Sequence, residues 1–413
     1  MNTTKKVLLA GLASAAFLAP QTALGAGFAS TAQSATATGM AGTAVANPDE
    51  PNANFYNPAS MVFREDFNVS AGLTLIIPSV SFEGPDGSTA ETLSQIFPPP
   101  NFSLTVPFAE RFAVGLGVTL PWGLGIAWPE DWEGRENFIS QDLQTLNVNP
   151  NVAYRIPGIN LGIAAGAQVM ASALRQERRI ILREDREVDV ILGGQGYGVG
   201  ATFAVMYQVS DWTVGLNYRS GATLNYEGRA HFSGAEDTPF SGRFVDQDIT
   251  TSITVPHTVN LGVGFRPMEK LFLSIEANYM TWSDYDEVEV LFSEQSPQGE
   301  PGDREPSLLV AADWQDALAF RIGGEYELIS DLKARIGFAF DMTPVPDETV
   351  GPSLPDNDRF VFAAGIGYTF LGARADLGYQ FVYLNPREIR NDTVNGTYQL
   401  SSHVVGLNIG YGF

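Results

Sequence analysis

The chain of 413 residues has no cysteine and only three histidines, His231, His257 and His403. Without cysteine there is no disulfide, no thiolate nucleophile and no thiolate zinc site, an absence that suits export to an envelope compartment. Histidine base catalysis is confined to three positions. Positive charge is scarce too, since 24 Lys and Arg stand against 47 Asp and Glu for a net charge of −23. That sign opposes nucleic-acid binding, because phosphate contacts need a basic surface. Beyond residue 25 no stretch reaches the roughly 20 apolar residues of a membrane-spanning helix. There is no nucleotide-binding glycine loop and the acids show no EF-hand spacing, so neither cofactor nor metal is expected.

What is present begins with Lys5-Lys6, an apolar run from Val7 to Ala19, and the small residues of Ala23-Leu24-Gly25. In that order they predict a secretory signal over residues 1–25. The signal holds two lysines and no acid, so its removal takes the charge from −23 to −25. Residues 26–65 then lack both strand alternation and a long amphipathic helical stripe, yet they carry Phe28, Met40, Phe55 and Tyr56. Asn47-Pro48, Glu50-Pro51 and Asn57-Pro58 punctuate them, and one short helix is expected around Thr38 to Ala46. Such a segment needs a container. It reads as a hatch enclosed by the rest of the chain.

Residues 66–413 alternate with period two. Short turns are expected near Ala109-Glu110, Ile156 to Gly158, Ser210-Asp211, Pro267 to Lys270, Ile329 to Asp331 and Leu371-Gly372. Long connections are expected at Ser79 to Pro100, Pro121 to Ser140, Arg179 to Gly194, Arg229 to Asp246, Ser293 to Asp313, Thr343 to Asn357 and Ile389 to Asn395. Together these join fourteen strands, and even numbers with short and long connections at opposite ends mark an outer-membrane barrel. The expected fold is all-β: a 14-stranded antiparallel transmembrane β-barrel with the N-terminal hatch inside its lumen.

Leu318, Phe320, Ile322, Tyr326 and Leu328 share one strand face, while Arg321, Gly323, Glu325 and Glu327 share the other. A soluble sandwich also alternates. Aromatic residues closing the apolar runs, and strands of a dozen residues or more, favour the barrel. Val405, Leu407, Ile409 and Tyr411 alternate to a terminal Phe413, which resembles the strand signal read by the outer-membrane assembly machinery. Glycines recur at one parity, at Gly194 to Gly200, Gly262 and Gly264, and Gly406 to Gly412. They serve either bends of the wall or close approach of the hatch backbone.

Several segments carry a family resemblance: Ala26-Gly27-Phe28, Asn57-Pro58-Ala59, VPHTVNLGVGFRP from Val255, NYMTWSDYDEV from Asn278, WQDALAFRIGGEY from Trp314, and Phe340 to Phe360. In order and spacing, the chain from residue 26 onward resembles the FadL-type outer-membrane transporters of long-chain fatty acids and other hydrophobic compounds. The resemblance implies a monomer in the outer membrane of a Gram-negative bacterium, with outer-membrane lipid around it and a fatty acid or hydrocarbon as ligand. It implies capture in an apolar groove and lateral release beside an inward kink of the third strand, expected at Arg111 to Leu120, with Gly115, Gly117 and Pro121 as its soft points.

Phe28 is the expected apolar ligand contact by the same resemblance. Arg321 and Arg335 are candidate carboxylate partners by lumen parity alone, with structural ion pairs to Glu325 and Glu327 as the alternative role. Fatty-acid members carry basic side chains on the fifth strand, whereas Ser172 stands in that region here, which leaves hydrocarbons open. Two other readings remain: a general diffusion porin, and a barrel-wall lipid hydrolase using His403 beside Ser401 and Ser402. No catalytic residue is assigned.

Overall fold

The computed structural model describes residues 26–183, 186–236, 241–294 and 307–412. The expected signal over residues 1–25 and the terminal Phe413 lie outside them.

Fourteen antiparallel strands form the wall. They are β1 (Asn68–Glu83), β2 (Pro100–Phe108), β3 (Phe112–Ala127), β4 (Ser140–Ile156), β5 (Leu161–Arg183) and β6 (Arg186–Val209). Four interrupted strands follow: β7 (Trp212–Arg219 and Ala222–Ser233), β8 (Gln247–Val255 and Thr258–Met268), β9 (Leu271–Met280 and Glu287–Phe292) and β10 (Ser307–Ala311 and Ala317–Ile329). β11 (Leu332–Asp341), β12 (Arg359–Phe370), β13 (Ala373–Leu384) and β14 (Gly396–Gly412) complete the order. β14 pairs with β1 from Asn68↔Gly412 to Glu83↔Thr397, so the sheet closes and leaves no free edge there.

The faces sort as a lipid solvent requires. Leu318, Phe320, Ile322, Tyr326 and Leu328 are 38–55% exposed, while Arg321 and Glu325 between them are 6% exposed. On β6 the outward Tyr197 and Tyr207 stand ten residues apart. At about 3.4 Å per residue and a tilt near 40° this separates the two aromatic levels by roughly 26 Å, the height of an apolar membrane band.

The six short turns fall where expected, but several of the long connections are partly strand. β1 continues past Ser79 to Glu83, β3 past Pro121 to Ala127, β5 and β6 continue to Arg183 and from Arg186, β7 continues to Ser233, and β10 begins at Ser307. In the β5–β6 hairpin, Ile180 pairs with Val188 and Arg178 with Val190. Val188 and Val190 pack with Phe232, Phe244, Ile249, Val290 and Phe292 in a core of their own. Dense Arg and Glu make these segments look like loops, but their inner faces bury enough apolar area to extend the ladder beyond the bilayer.

Residues 26–63 are almost wholly buried. In place of one helix at Thr38 to Ala46 there are two four-residue helices, α1 (Ala35–Thr38) and α2 (Ala53–Tyr56), and a 3-10 turn at Pro58–Phe63. Side chains of the wall supply the hydrogen bonds that this irregular backbone lacks. Thr74 of β1 donates to Ala32 O, Asn217 of β7 to Tyr56 O, Arg321 of β10 to Ala41 O and Gln380 of β13 to Thr38 O. Glu276 of β9 accepts from Ala44 N and Val45 N at 2.9 and 3.1 Å, and Asn408 of β14 accepts from Ala35 N at 2.8 Å. These partners belong to β1, β7, β9, β10, β13 and β14. Gly378 allows the approach: a Cβ there would lie 2.2 Å from Ala35 O. Gly262 and Gly406 lie against this segment as well, whereas Gly196 and Gly198 lie against Tyr226 and Leu224 of the neighbouring strand.

Candidate functional site

Phe28 is 3% exposed and sits in a cage of rings. Its centroid is 4.7 Å from Trp282, 5.5 Å from Tyr285, 5.6 Å from Trp314 and 6.2 Å from Trp122, at tilted or edge-on angles. These are favourable quadrupole geometries, each worth about 0.5–1.5 kcal/mol beyond area burial. Trp282 occupies the 3-10 turn Trp282–Asp284 that interrupts β9, and Trp314 lies in the interruption of β10. Strand alternation breaks at TWSDYD and ADWQDA, and those breaks free the rings from the pleat so that they turn toward Phe28. That loss of alternation was the available signal, and face-by-face reading passes over it.

Gly27 fixes how Phe28 enters. Its φ is +62°, and a Cβ there would lie 2.4 Å from the Trp314 ring. Its N–H donates to Asp356 Oδ2 at 3.3 Å, and its carbonyl accepts from Arg359 Nη2 at 2.9 Å. Arg359 Nε in turn donates to Asp356 Oδ1 at 3.0 Å, so a buried ion pair grips the peptide next to Phe28.

Beside Phe28 is a cavity of about 190 Å³. Leu124, Leu143, Leu174, Ile253, Val290, Leu308 and Trp314 line it, with Gln141, Gln176, Thr251 and Ser353 as polar spots. Among the described residues no charged side chain lines it. Ser172 stays on the inner face of β5, hydrogen-bonded by Tyr226 Oη at 2.7 Å and paired with Thr145 Oγ1 at 2.9 Å.

Neither arginine candidate lines this cavity. Arg321 lines a separate chamber of about 50 Å³ with Tyr56 and Glu276, and its Nη2 donates to Asp341 at 3.0 Å. Arg335 lies in a buried chain of alternating charge. Lys333 and Arg335 donate to Glu325 at 2.6 and 2.8 Å, while Arg335 Nη1 and Arg374 Nε lie 2.8 and 2.7 Å from Asp376. Both arginines therefore sit in structural ion pairs, Arg335 with the expected Glu325 and Arg321 with Asp341 rather than with Glu325 or Glu327.

Asn57, Pro58 and Ala59 form a capped turn. Asn57 Oδ1 accepts from Ala59 N at 3.1 Å, and Asn57 Nδ2 donates to Val45 O at 2.8 Å and Val205 O at 3.1 Å. Pro58, which needs no N–H partner, takes the first position of the 3-10 turn.

The wall is discontinuous beside Phe28. The β2–β3 ladder ends at Phe102↔Val118 and the β1–β2 ladder at Leu73↔Pro100. Beyond them β3 shifts register against β4 between Thr119 and Trp122 and bends to the N-terminal segment. Ser30 N donates to Pro121 O at 2.7 Å, and Gly123 N donates to Phe28 O at 3.0 Å. Pro121 thus stands at the break, while Gly115 and Gly117 lie below it against Asn54. Between β1 and this part of β3 run residues 89–99, held to β1 at Ser81↔Glu91 and the isolated bridge Ile76↔Phe97 and to β3 where Leu93 N donates to Ala127 O at 2.8 Å, with Leu93 and Ile96 53% and 59% exposed.

Among the described residues each histidine ring is hydrogen-bonded to a tyrosine or aspartate rather than to a serine. His403 is exposed on the outer face with Tyr379 Oη 2.8 Å from Nδ1, whereas Ser402 is buried on the opposite face. His257 pairs with Tyr218 and His231 with Asp246.

The family model described as outer membrane protein transport protein (OMPP1/FadL/TodX) matches residues 15–413. The chain belongs to this family. As a FadL-family member it is an integral outer-membrane β-barrel of Gram-negative type and a transporter of hydrophobic compounds rather than an enzyme. The long-chain fatty acid transport protein of Escherichia coli K12 is 24% identical over 86% of this chain and 87% of its own. Outer membrane protein P1 of Haemophilus influenzae is 23% identical over 84% and 82%. The fold is shared with a Pseudomonas aeruginosa FadL homologue at TM-score 0.82, 18% identity, and coverage of 94% and 99%. The Pseudomonas putida toluene transporter TodX follows at 0.71, 16%, and 92% and 97%.

Proposed function

We propose that this protein captures uncharged hydrophobic molecules, one-ring hydrocarbons foremost, in the Phe28 cavity and releases them sideways into the outer membrane. Residues 26–65 act as the hatch that keeps the lumen closed, and residues 66–413 as the barrel. The single observation that carries the substrate class is a ring-lined cavity of about 190 Å³ with no cation among the described residues that line it. An apolar cavity of about 150 Å³ in another protein binds benzene, so one aromatic ring suits this volume. A carboxylate would lose its hydration here with no ionic partner among the described lining residues. The sideways route is supported by the interrupted ladders between β1 and β3. It also keeps the molecule dry, since returning apolar groups to water costs about 0.8 kcal/mol per CH₂. Relatives described as carrying toluene or long-chain fatty acid support hydrophobe uptake. Quenching of tryptophan fluorescence by toluene and by oleate tests the choice. Saturable quenching by toluene at lower concentration supports it, and tighter oleate binding that fails only when the acid is protonated contradicts it.

A further inference from the structure

The Phe28 cavity does not open directly on the gap. A second cavity of about 30 Å³ lies between, lined by Val80 of β1, Thr92 and Leu93 of the crossing segment, and Ile126 of β3. Leu124 and Leu354 line both cavities, so these two leucines form the partition. Leu124 belongs to β3 beyond its break and Leu354 to the connection between β11 and β12, and both are buried. Leu354 is tied in place. Its N–H donates to Gly351 O at 3.2 Å, and its carbonyl accepts from Asp356 N at 2.8 Å. Asp356 also accepts from Thr343 Oγ1 at 2.8 Å and from Gly27 N, the residue before Phe28.

We propose that Leu124 and Leu354 are the specificity-determining pair of the lateral path, a dry size filter between the capture cavity and the wall gap; this rests on the capture and sideways exit proposed above. A narrow molecule passes when the leucine side chains change rotamer, a motion that costs little and leaves the backbone in place. A wider one requires the Leu354 backbone to move. That motion strains the Asp356 contacts to Gly27 and Arg359, so wide molecules are slowed far more than narrow ones. Because both leaves are apolar, the passage excludes water while it selects by cross-section.

The test uses the full chain in the outer membrane of cells lacking their own transporter, with labelled toluene and naphthalene as narrow and wide probes. Rates are normalised to folded barrel, scored by resistance to detergent unfolding at room temperature. Leu354→Ala is expected to raise the naphthalene-to-toluene uptake ratio severalfold. Leu354→Trp and, from the other leaf, Leu124→Trp are expected to lower uptake of both by about tenfold, the rate cost of overpacking a filled partition. If folded forms of all three variants keep the wild-type rates and ratio while wild-type toluene uptake is intact, the filter is overturned and the lateral-exit reading survives. If the wild type takes up neither probe, both are overturned.

Discussion

Arg335→Ala separates a structural ion network from a headgroup site. Arg335 has a side chain that is 0% exposed, between Glu325 at 7% and Asp376 at 2%. Its Nε makes a charge-assisted hydrogen bond of 2.8 Å to Glu325, and its Nη1 lies 2.8 Å from Asp376 Oδ1 without hydrogen-bond alignment. Breaking a buried pair by deleting one partner costs about 3–5 kcal/mol, because the surviving charge stays buried. Here Glu325 keeps Lys333 and Asp376 keeps Arg374, so the loss falls toward the lower figure, about 3 kcal/mol. The assay is equilibrium urea unfolding from phosphocholine vesicles followed by tryptophan fluorescence, with uptake of toluene and oleate measured alongside. The two uptakes should fall together, in proportion to folded protein. A stability loss below about 1 kcal/mol, typical of a surface pair, would refute the structural reasoning. A selective loss of oleate uptake at wild-type stability would restore Arg335 as a headgroup partner.

Gly378→Val places a side chain where a Cβ already meets Ala35 O at 2.2 Å. The α1 segment should lift from β13, and sugar flux into cells should rise, whereas an unchanged sugar barrier would show that this contact does not hold the lumen closed. Asp356→Ala leaves Arg359 buried without its carboxylate and frees Gly27, so barrel stability should drop by about 3–5 kcal/mol in the same urea assay. Burial holds the Glu50 carboxyl in the N-terminal segment above its ordinary range, against hydrogen bonds from Ser34 and Asn52. With a raised folded value the native state binds the extra proton, so this contribution is full below the unfolded value and is lost as pH rises through the folded value. Glu50→Gln should therefore gain stability relative to wild type as pH rises from the ordinary carboxylate range, and a pH-independent difference would contradict the burial argument.

The wall was legible because lipid outside and protein inside impose period two on nearly every strand. Leu318 to Leu328 and Leu332 to Asp341 carry that signal without ambiguity. Residues 179–182 and 186–194 misled because their charges are set on the faces of a strand pair extending past the membrane-facing part of the wall, where water reaches one side. The aromatic cage was hidden for a different reason: Phe28, Trp122, Trp282 and Trp314 come from four distant segments, and two of them enter through strand breaks that alternation does not describe. Arg321 and Arg335 share the lumen parity of a ligand site, but parity places a side chain inside without saying which carboxylate it meets first. Leu354 had no local signal, since its position depends on a clamp between Gly27 and Asp356, 329 residues apart.

The central claim is that hydrophobes leave through the wall while the lumen stays shut. It is tested most directly by uptake of labelled toluene and oleate, alongside flux of a glucose-sized sugar, in cells lacking their own transporter with and without this protein. The account predicts protein-dependent hydrophobe uptake with no added sugar flux. Sugar flux without hydrophobe preference would contradict it and make the barrel a diffusion porin.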